Sequence, residues 1–265
     1  MSTTPRRYER HNAFGQATRF YETEGKKVPS VTSILSAIAK PALVPWAAKL
    51  EREAVVRAAA ELYADLPLNT PRMNKTAYVS TLERRLGGVK EHTKALAAAA
   101  DIGSAVHNRI EWDLRTDLKQ VVGPEPVLQG KALWAYMSYQ DWRQKANLVP
   151  YRIEQTVVSK RYGYAGTMDW YGEIDHESER LKVVGDWKTG KGIYAEALLQ
   201  NAAYVHALIE MGHADPPVAG CVVRLPKTET DPSFEVRIIP SEQQKALLDV
   251  FLSVLDLWKW LDSQK

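Results

Sequence analysis

Cysteine is almost missing from this chain. Cys221 is the only one among 265 residues, so no internal disulfide, no four-cysteine zinc site and no iron–sulfur cluster held by the chain alone can form. No run approaches the roughly 20 apolar residues that a membrane-spanning helix needs. The opening residues, Met1 to Arg10, place no apolar stretch behind their positive charges, so no secretory leader is expected. A reducing, cytoplasmic setting is the expectation. Neither sign of charge dominates: 35 Lys and Arg against 32 Asp and Glu leave +3, which suits a polyanionic partner without requiring one. Internal repeats and low-complexity tracts are lacking as well. What remains, 45% hydrophobic and 25% charged, is the composition of an ordinary globular chain with enough length for a sizeable core.

The periodicity of the apolar residues changes along the chain. Residues 17–24 read as a short strand, a turn follows at Gly25, and Ser30 is placed to cap a helix reaching residue 38. Pro41 and Pro45 are expected to interrupt it. Residues 46–65 and 75–100 are alanine-rich, charged and helical in pattern, the second with a break at Gly87 and Gly88. Further helices are expected over 102–114 and 127–146. Alternation then takes over: 151–160, 163–174 and 181–188 read as consecutive strands. A helix at 196–211, strands at 218–225 and 234–239, and a helix at 241–261 complete the order. It implies an α/β (α+β) fold, a mixed sheet flanked by helices behind a mainly helical N-terminal region, with residues 1–100 and 101–265 as the two parts.

Chemistry concentrates in the strands. In Asp186-Trp187-Lys188 the first and third residues point to one face of a strand, which sets a carboxylate beside an ammonium. A divalent cation takes the carboxylate, and the lysine can orient water or meet charge that develops on a phosphate. Gly185, Gly190 and Gly192 would let other backbone approach this trio. Asp169, after Gly166-Thr167-Met168, supplies a second carboxylate on the preceding strand, which antiparallel pairing through a turn region at 172–180 brings near Asp186. Hard oxygen ligands favour Mg²⁺ or Mn²⁺ over zinc. Gly103, His107 and Glu111 recur at i+4 and share one helix face, as do Gln200 and Tyr204 on the helix after the Asp186 strand. Arg109, Lys160, Arg161, Lys191, Arg224 and Lys227 could follow a phosphate backbone, and Tyr162, Tyr164, Trp170 and Tyr194 could offer faces to unstacked bases.

Taken in order, Gly-x-x-x-His at 103–107, Gly-x-x-Asp at 166–169, Asp-x-Lys at 186–188 and Gln-x-x-x-Tyr at 200–204 resemble the RecB-like branch of the PD-(D/E)XK nucleases. The likeness covers residues 102–204 well and extends more softly to 19–46, where small stand-alone phage and mitochondrial exonucleases of this branch begin. It implies a restriction-endonuclease-like core in 101–265 behind a helical region with a short opening strand. It also implies that His107, Asp169, Asp186 and the backbone carbonyl of Trp187 bind the metal. Glu154 would reach that metal through a water. Lys188 would position or activate the attacking water, while Gln200 and Tyr204 would touch the DNA strand or that water. The implied activity is that of a Mg²⁺- or Mn²⁺-dependent DNA exonuclease, which hydrolyses phosphodiester bonds and leaves 5′-phosphates, in recombination, repair or end processing. Its partners would be single-stranded DNA or duplex ends, with a single-strand annealing or binding protein as a further candidate and no membrane. The proline that often precedes the first aspartate is missing, and no helicase motif or cluster-binding cysteine set is present. A structure-specific or single-strand endonuclease with the same site, a non-catalytic DNA-binding module of the same fold, and a hydrolase of some other phosphate ester remain alternatives.

Overall fold

The computed structural model describes residues 5–11, 17–38, 40–65, 73–231 and 233–264, which leaves Met1 to Thr4 of the leader reading outside the described residues. Two small sheets and seven helices are described. Strands β1 (Arg6–His11), β2 (Ala17–Thr23) and β3 (Lys26–Pro29) form an antiparallel sheet in chain order. The β2–β3 turn is a two-residue loop in which Glu24 has φ 50° and Gly25 φ 74°, and Thr23 pairs with Lys26 across it. Positive φ at both loop residues matches the right-handed twist of the flanking strands, which is why a glycine sits there. β1 and β3 were not legible in the sequence, because neither has an alternating apolar face.

Helix α1 is shorter than expected, Val31–Leu35, and starts where Ser30 accepts a hydrogen bond from the Ser33 N–H. Helix α2 (Leu43–Ala64) includes Pro45, contrary to the expected interruption. Pro45 lies in its first turn, where a backbone N–H has no intrahelical partner to lose. Helix α3 (Lys75–Leu86) ends as predicted at Gly87, which takes φ 69°. The break expected near residue 101 is absent: one helix, α4, runs Glu91–Asp117. Helix α5 (Gly130–Ala146) follows.

The chain then forms a five-stranded mixed sheet of β4 (Val149–Ser159), β5 (Tyr164–His176), β6 (Glu179–Lys188), β7 (Ala219–Arg224) and β8 (Glu235–Ile239), in that spatial order. All pairs are antiparallel except β6 and β7, which run parallel because helix α6 (Ala195–Glu210) makes the crossover between them. Helix α7 (Gln244–Ser263) closes the chain after a short 3-10 turn. Gly172 belongs to β5, paired with Val183, so the turn placed at 172–180 contracts to the residues between His176 and Glu179.

Two apolar clusters cover the two faces of the sheet. Val157, Met168, Val184 and Tyr171 pack with α6 and α7 residues such as Leu208 and Phe251. Ile153, Trp170, Val183 and Trp187 pack with α4 and α5 residues such as Ile110, Tyr139 and Trp142. Strict alternation would keep Ile153 with Val157, and Met168 with Trp170, on one face. Each pair is split between the clusters, so alternation slips in β4 and β5 at the same level, at Glu154 and Asp169.

The compact units divide differently from the expected 1–100 and 101–265: one comprises residues up to Ile38 together with Ile102–Lys265, the other Ala39–Asp101. The second unit is helical and lightly packed. α2 buries only Ala54, Ala58 and Leu62, and α3 buries nothing. Ion pairs such as Arg85 to Asp65 at 2.6 Å and Arg57 to Glu91 at 3.7 Å join its elements. Among the described residues no helix is long and apolar enough to cross a membrane.

Candidate active site

The slip in the sheet is where the first part of the site lies. Ile153 pairs with Trp170 and Gln155 with Met168, so Glu154 and Asp169 oppose one another between those pairs. Glu154 also has φ 46°. A left-handed backbone at a non-glycine residue costs on the order of 1–3 kcal/mol, and like charges facing each other across a ladder repel. Both penalties fall on one residue. His107, from α4, completes the group: ligand-type atoms of His107, Glu154 and Asp169 all lie within 4.8 Å of one another. The three line a pocket of about 290 Å³, whose wall also carries Ser104, Asn108 and Glu111.

The backbone of Trp187 ties this group together. Its N–H donates to Asp169 Oδ2 at 2.7 Å, and its carbonyl lies 3.2 Å from His107 Nε2. His107 Nδ1 is 3.6 Å from Asp169 Oδ1. Burial pushes the His107 pKa down, but the charge and hydrogen bond of Asp169 outweigh it and raise it to about 9. Burial, then the charges of Asp169 and Glu111, push Glu154 up to about 8. Asp169 is pushed up by burial too, yet His107, with Lys188 and the Trp187 N–H, holds it below the usual carboxylate value. Without a cation, therefore, the cluster quenches its own charge by keeping protons on His107 and Glu154 near neutral pH. A divalent cation would replace those protons, and two carboxylates with one imidazole are a donor set that suits it.

The second part of the site is closed. Asp186, on β6, is 1% exposed. The Lys188 ammonium sits 2.7 Å from its Oδ2, and the Gln200 amide donates to its Oδ1 at 3.1 Å. Lys188 also donates to Gln200 Oε1 at 3.2 Å, and Gln200 Nε2 lies 3.2 Å from the Tyr204 hydroxyl. Burial pushes Asp186 up to about 6, with Lys188 offsetting only part of that. Burial pushes Lys188 down, but Asp186 and Asp169 outweigh it, so the side chain is an ammonium ion. Tyr204 can lie flat on β5 because Gly166 is there: a Cβ on that residue would stand 2.5 Å from the ring. The Gly-x-x-Asp spacing thus makes room for Tyr204 at its first position and presents Asp169 at its last.

All the expected site residues fall in this one region, in two subsets. Asp186 lies outside the three-residue ligand cluster and is engaged by Lys188 and Gln200. Glu154 stands inside that cluster, its carboxylate within 4.8 Å of the ligand-type atoms of His107 and Asp169. Glu111, unassigned from the sequence, lines the pocket and accepts from Arg115 Nε at 2.6 Å. The i+4 face of Gly103, His107 and Glu111 was its signal.

The expected roles of the surrounding residues change more. Gly185 does not admit backbone; it admits the Trp170 indole, whose Cε2 would be 1.7 Å from an added Cβ. Gly190 and Gly192 have no close neighbour of that kind. Trp170 and Tyr164 are fully buried and cannot stack on a base, whereas Tyr194 is 62% exposed. Arg109 is held by Asp113 and Glu125, Arg224 by Asp231 and Glu235, and Lys160 by Glu24. No protein-family model and no curated protein matches the chain.

Proposed function

We propose that the chain is a metal-dependent deoxyribonuclease that works from DNA ends and leaves 5′-phosphates, a stand-alone nuclease of the RecB-like PD-(D/E)XK kind. One observation carries this reading: residues of the four motifs that suggest it, spread over residues 103–204, converge on Asp169 and Asp186 of neighbouring strands, with His107 and Asp169 lining one pocket and Lys188, Gln200 and Tyr204 linked to Asp186 beside it. A cation, Mg²⁺ or Mn²⁺, bound by His107, Glu154 and Asp169 would supply positive charge for the phosphoryl oxygens.

The remaining work belongs to the side chains. Lys188 keeps its proton, so it can donate to a water or to a phosphate oxygen as charge builds there. Asp186 and Gln200 hold the ammonium in place, and Tyr204 holds Gln200. Asp169 has a double duty: one carboxylate oxygen takes the Trp187 N–H and fixes the strand, which leaves the other for the pocket.

The test is cleavage of 5′- and 3′-labelled linear DNA, single- and double-stranded, beside a closed circle, in Mg²⁺, Mn²⁺ or EDTA. Metal-dependent loss of linear DNA alone, abolished in Asp186→Ala and Lys188→Ala, is the expected result and gives the polarity. Cutting of the circle would make the enzyme an endonuclease. DNA binding without cleavage under either metal would leave a non-catalytic module, and hydrolysis of a small diester alone would indicate another phosphate ester as substrate.

A further inference from the structure

Glu154 lines a second cavity. Along β4, which among the described residues is an edge strand paired only with β5, a groove of about 390 Å³ is bounded by Tyr151, Arg152, Gln155, Thr156 and His213 as well as by Glu154. That volume falls within the roughly 300–1,000 Å³ of ordinary small-ligand sites. Groove and metal pocket therefore adjoin through Glu154, the residue whose backbone is strained.

The groove offers the groups that an anionic ligand with an aromatic base would need. Arg109, Arg115, Arg143, Arg180 and Arg224 each hold a carboxylate. Arg152 is exposed and holds none among the described residues. Tyr151 is 44% exposed, with its ring set edge to face against Tyr171 at 5.7 Å, so an aromatic surface is available and already fixed. His213 Nδ1 lies 2.6 Å from Gln155 Nε2, which commits the amide's donor end. The other end, Gln155 Oε1, is buried and accepts no hydrogen bond from any described residue. A buried acceptor without a donor is costly and is met by water or by a ligand.

We infer that this groove seats the nucleotide next to the scissile phosphodiester, with Arg152 on a strand phosphate and Tyr151 against the base. The inference rests on the nuclease reading. It gives the strand a path along the β4 edge and makes single-stranded DNA the form that fits, since a base inside a duplex presents no free face for Tyr151.

The experiment is fluorescence anisotropy of the full chain with a labelled oligodeoxynucleotide of about twelve residues, in EDTA, across a salt series, with folding checked by circular dichroism. Arg152→Gln should weaken binding and lower the slope of log affinity against log salt by about 0.7, the value for one phosphate contact on a single strand. Tyr151→Ala should weaken binding about tenfold with the slope unchanged, as the loss of a stacked base requires. Arg237→Gln, which removes the same charge from β8 at the opposite edge of the sheet, should change neither. Binding by the wild type with slope and affinity unaltered in Arg152→Gln and Tyr151→Ala would overturn the inference and leave the nuclease reading standing. The same slope change in Arg237→Gln would overturn it too, because the effect would then belong to overall charge. A wild type that neither binds nor cleaves DNA would overturn both.

Discussion

Asp169 and Asp186 sit on neighbouring strands of one sheet, and the regions they anchor balance charge in opposite ways. Around Asp186 every partner is supplied by the chain: an ammonium, an amide and, through that amide, a phenol. Around Asp169 and Glu154 the chain supplies a further acid, a histidine and a strained backbone. The closed region has its counterion built in. The open one has excess carboxylate facing a pocket and is relieved only by protons or by a cation. A binding site can thus be recognised by where a fold leaves its charges unbalanced, as well as by which residues it assembles.

The largest effect that tests this contrast is on cleavage. Asp169→Ala and Lys188→Ala each remove charge from one region, and both should lower the rate by about 10³-fold or more. They should differ in metal binding, measured by calorimetry with Mn²⁺: lost in Asp169→Ala, retained in Lys188→Ala. Equal loss of metal in both would erase the division between the regions.

Next in size is a change of stability in the closed region. Gly185→Ala places a methyl group where the Trp170 indole lies, with no flexible end to yield. Overpacking of this kind should cost about 3 kcal/mol in urea unfolding. A variant as stable as wild type would mean that the Trp170 stack on Trp187 does not hold β5 and β6 together.

A smaller effect follows from pH. Folding raises Glu154 from 4.5 to about 8 and His107 from 6.5 to about 9. For groups with raised folded-state values, the stabilisation is complete below the unfolded values and is lost as pH rises through the folded ones. In EDTA the melting temperature should therefore fall from about pH 4.5, where Glu154 begins to lose its contribution, to about pH 9, where that of His107 is lost. Mn²⁺ should reverse the fall, and Glu154→Gln should flatten it. A melting temperature that rises over this range in EDTA would show that the open cluster carries no excess negative charge.

The smallest expected effect is Tyr204→Phe, which removes one hydrogen bond from Gln200, worth about 1 kcal/mol. Cleavage should fall by about tenfold at most, with Mn²⁺ affinity unchanged. A loss as large as that of Lys188→Ala would move Tyr204 from support of Gln200 to contact with the reacting groups.

Much of this architecture can be read along the chain. The order of helices and strands from β4 onward follows from periodicity, Ser30 marks a helix start with its hydroxyl and Gly87 a helix end with its positive φ, and the four spaced motifs point to one site. The exceptions have identifiable causes. α4 runs on through Asp101, because alanine-rich sequence carries no stop signal there, and Pro45 is harmless in a first turn. β1 lacks an apolar face because its partner strand β2 supplies the packing through Tyr21 and Phe20.

What the sequence determined by itself is therefore local: the type and order of elements, the pairing of an acid with a lysine two residues apart on a strand, and the side chains that share a helix face. Those depend on backbone geometry that repeats within a few residues. The tertiary structure alone decided which acid faces which. The slip at Glu154 and Asp169 reverses the expected alternation, Trp170 fills the space above Gly185, and arginines expected to be free are held by acids distant in the chain. Such outcomes depend on register and on long-range charge, and both are set only when strands pair and helices pack over them.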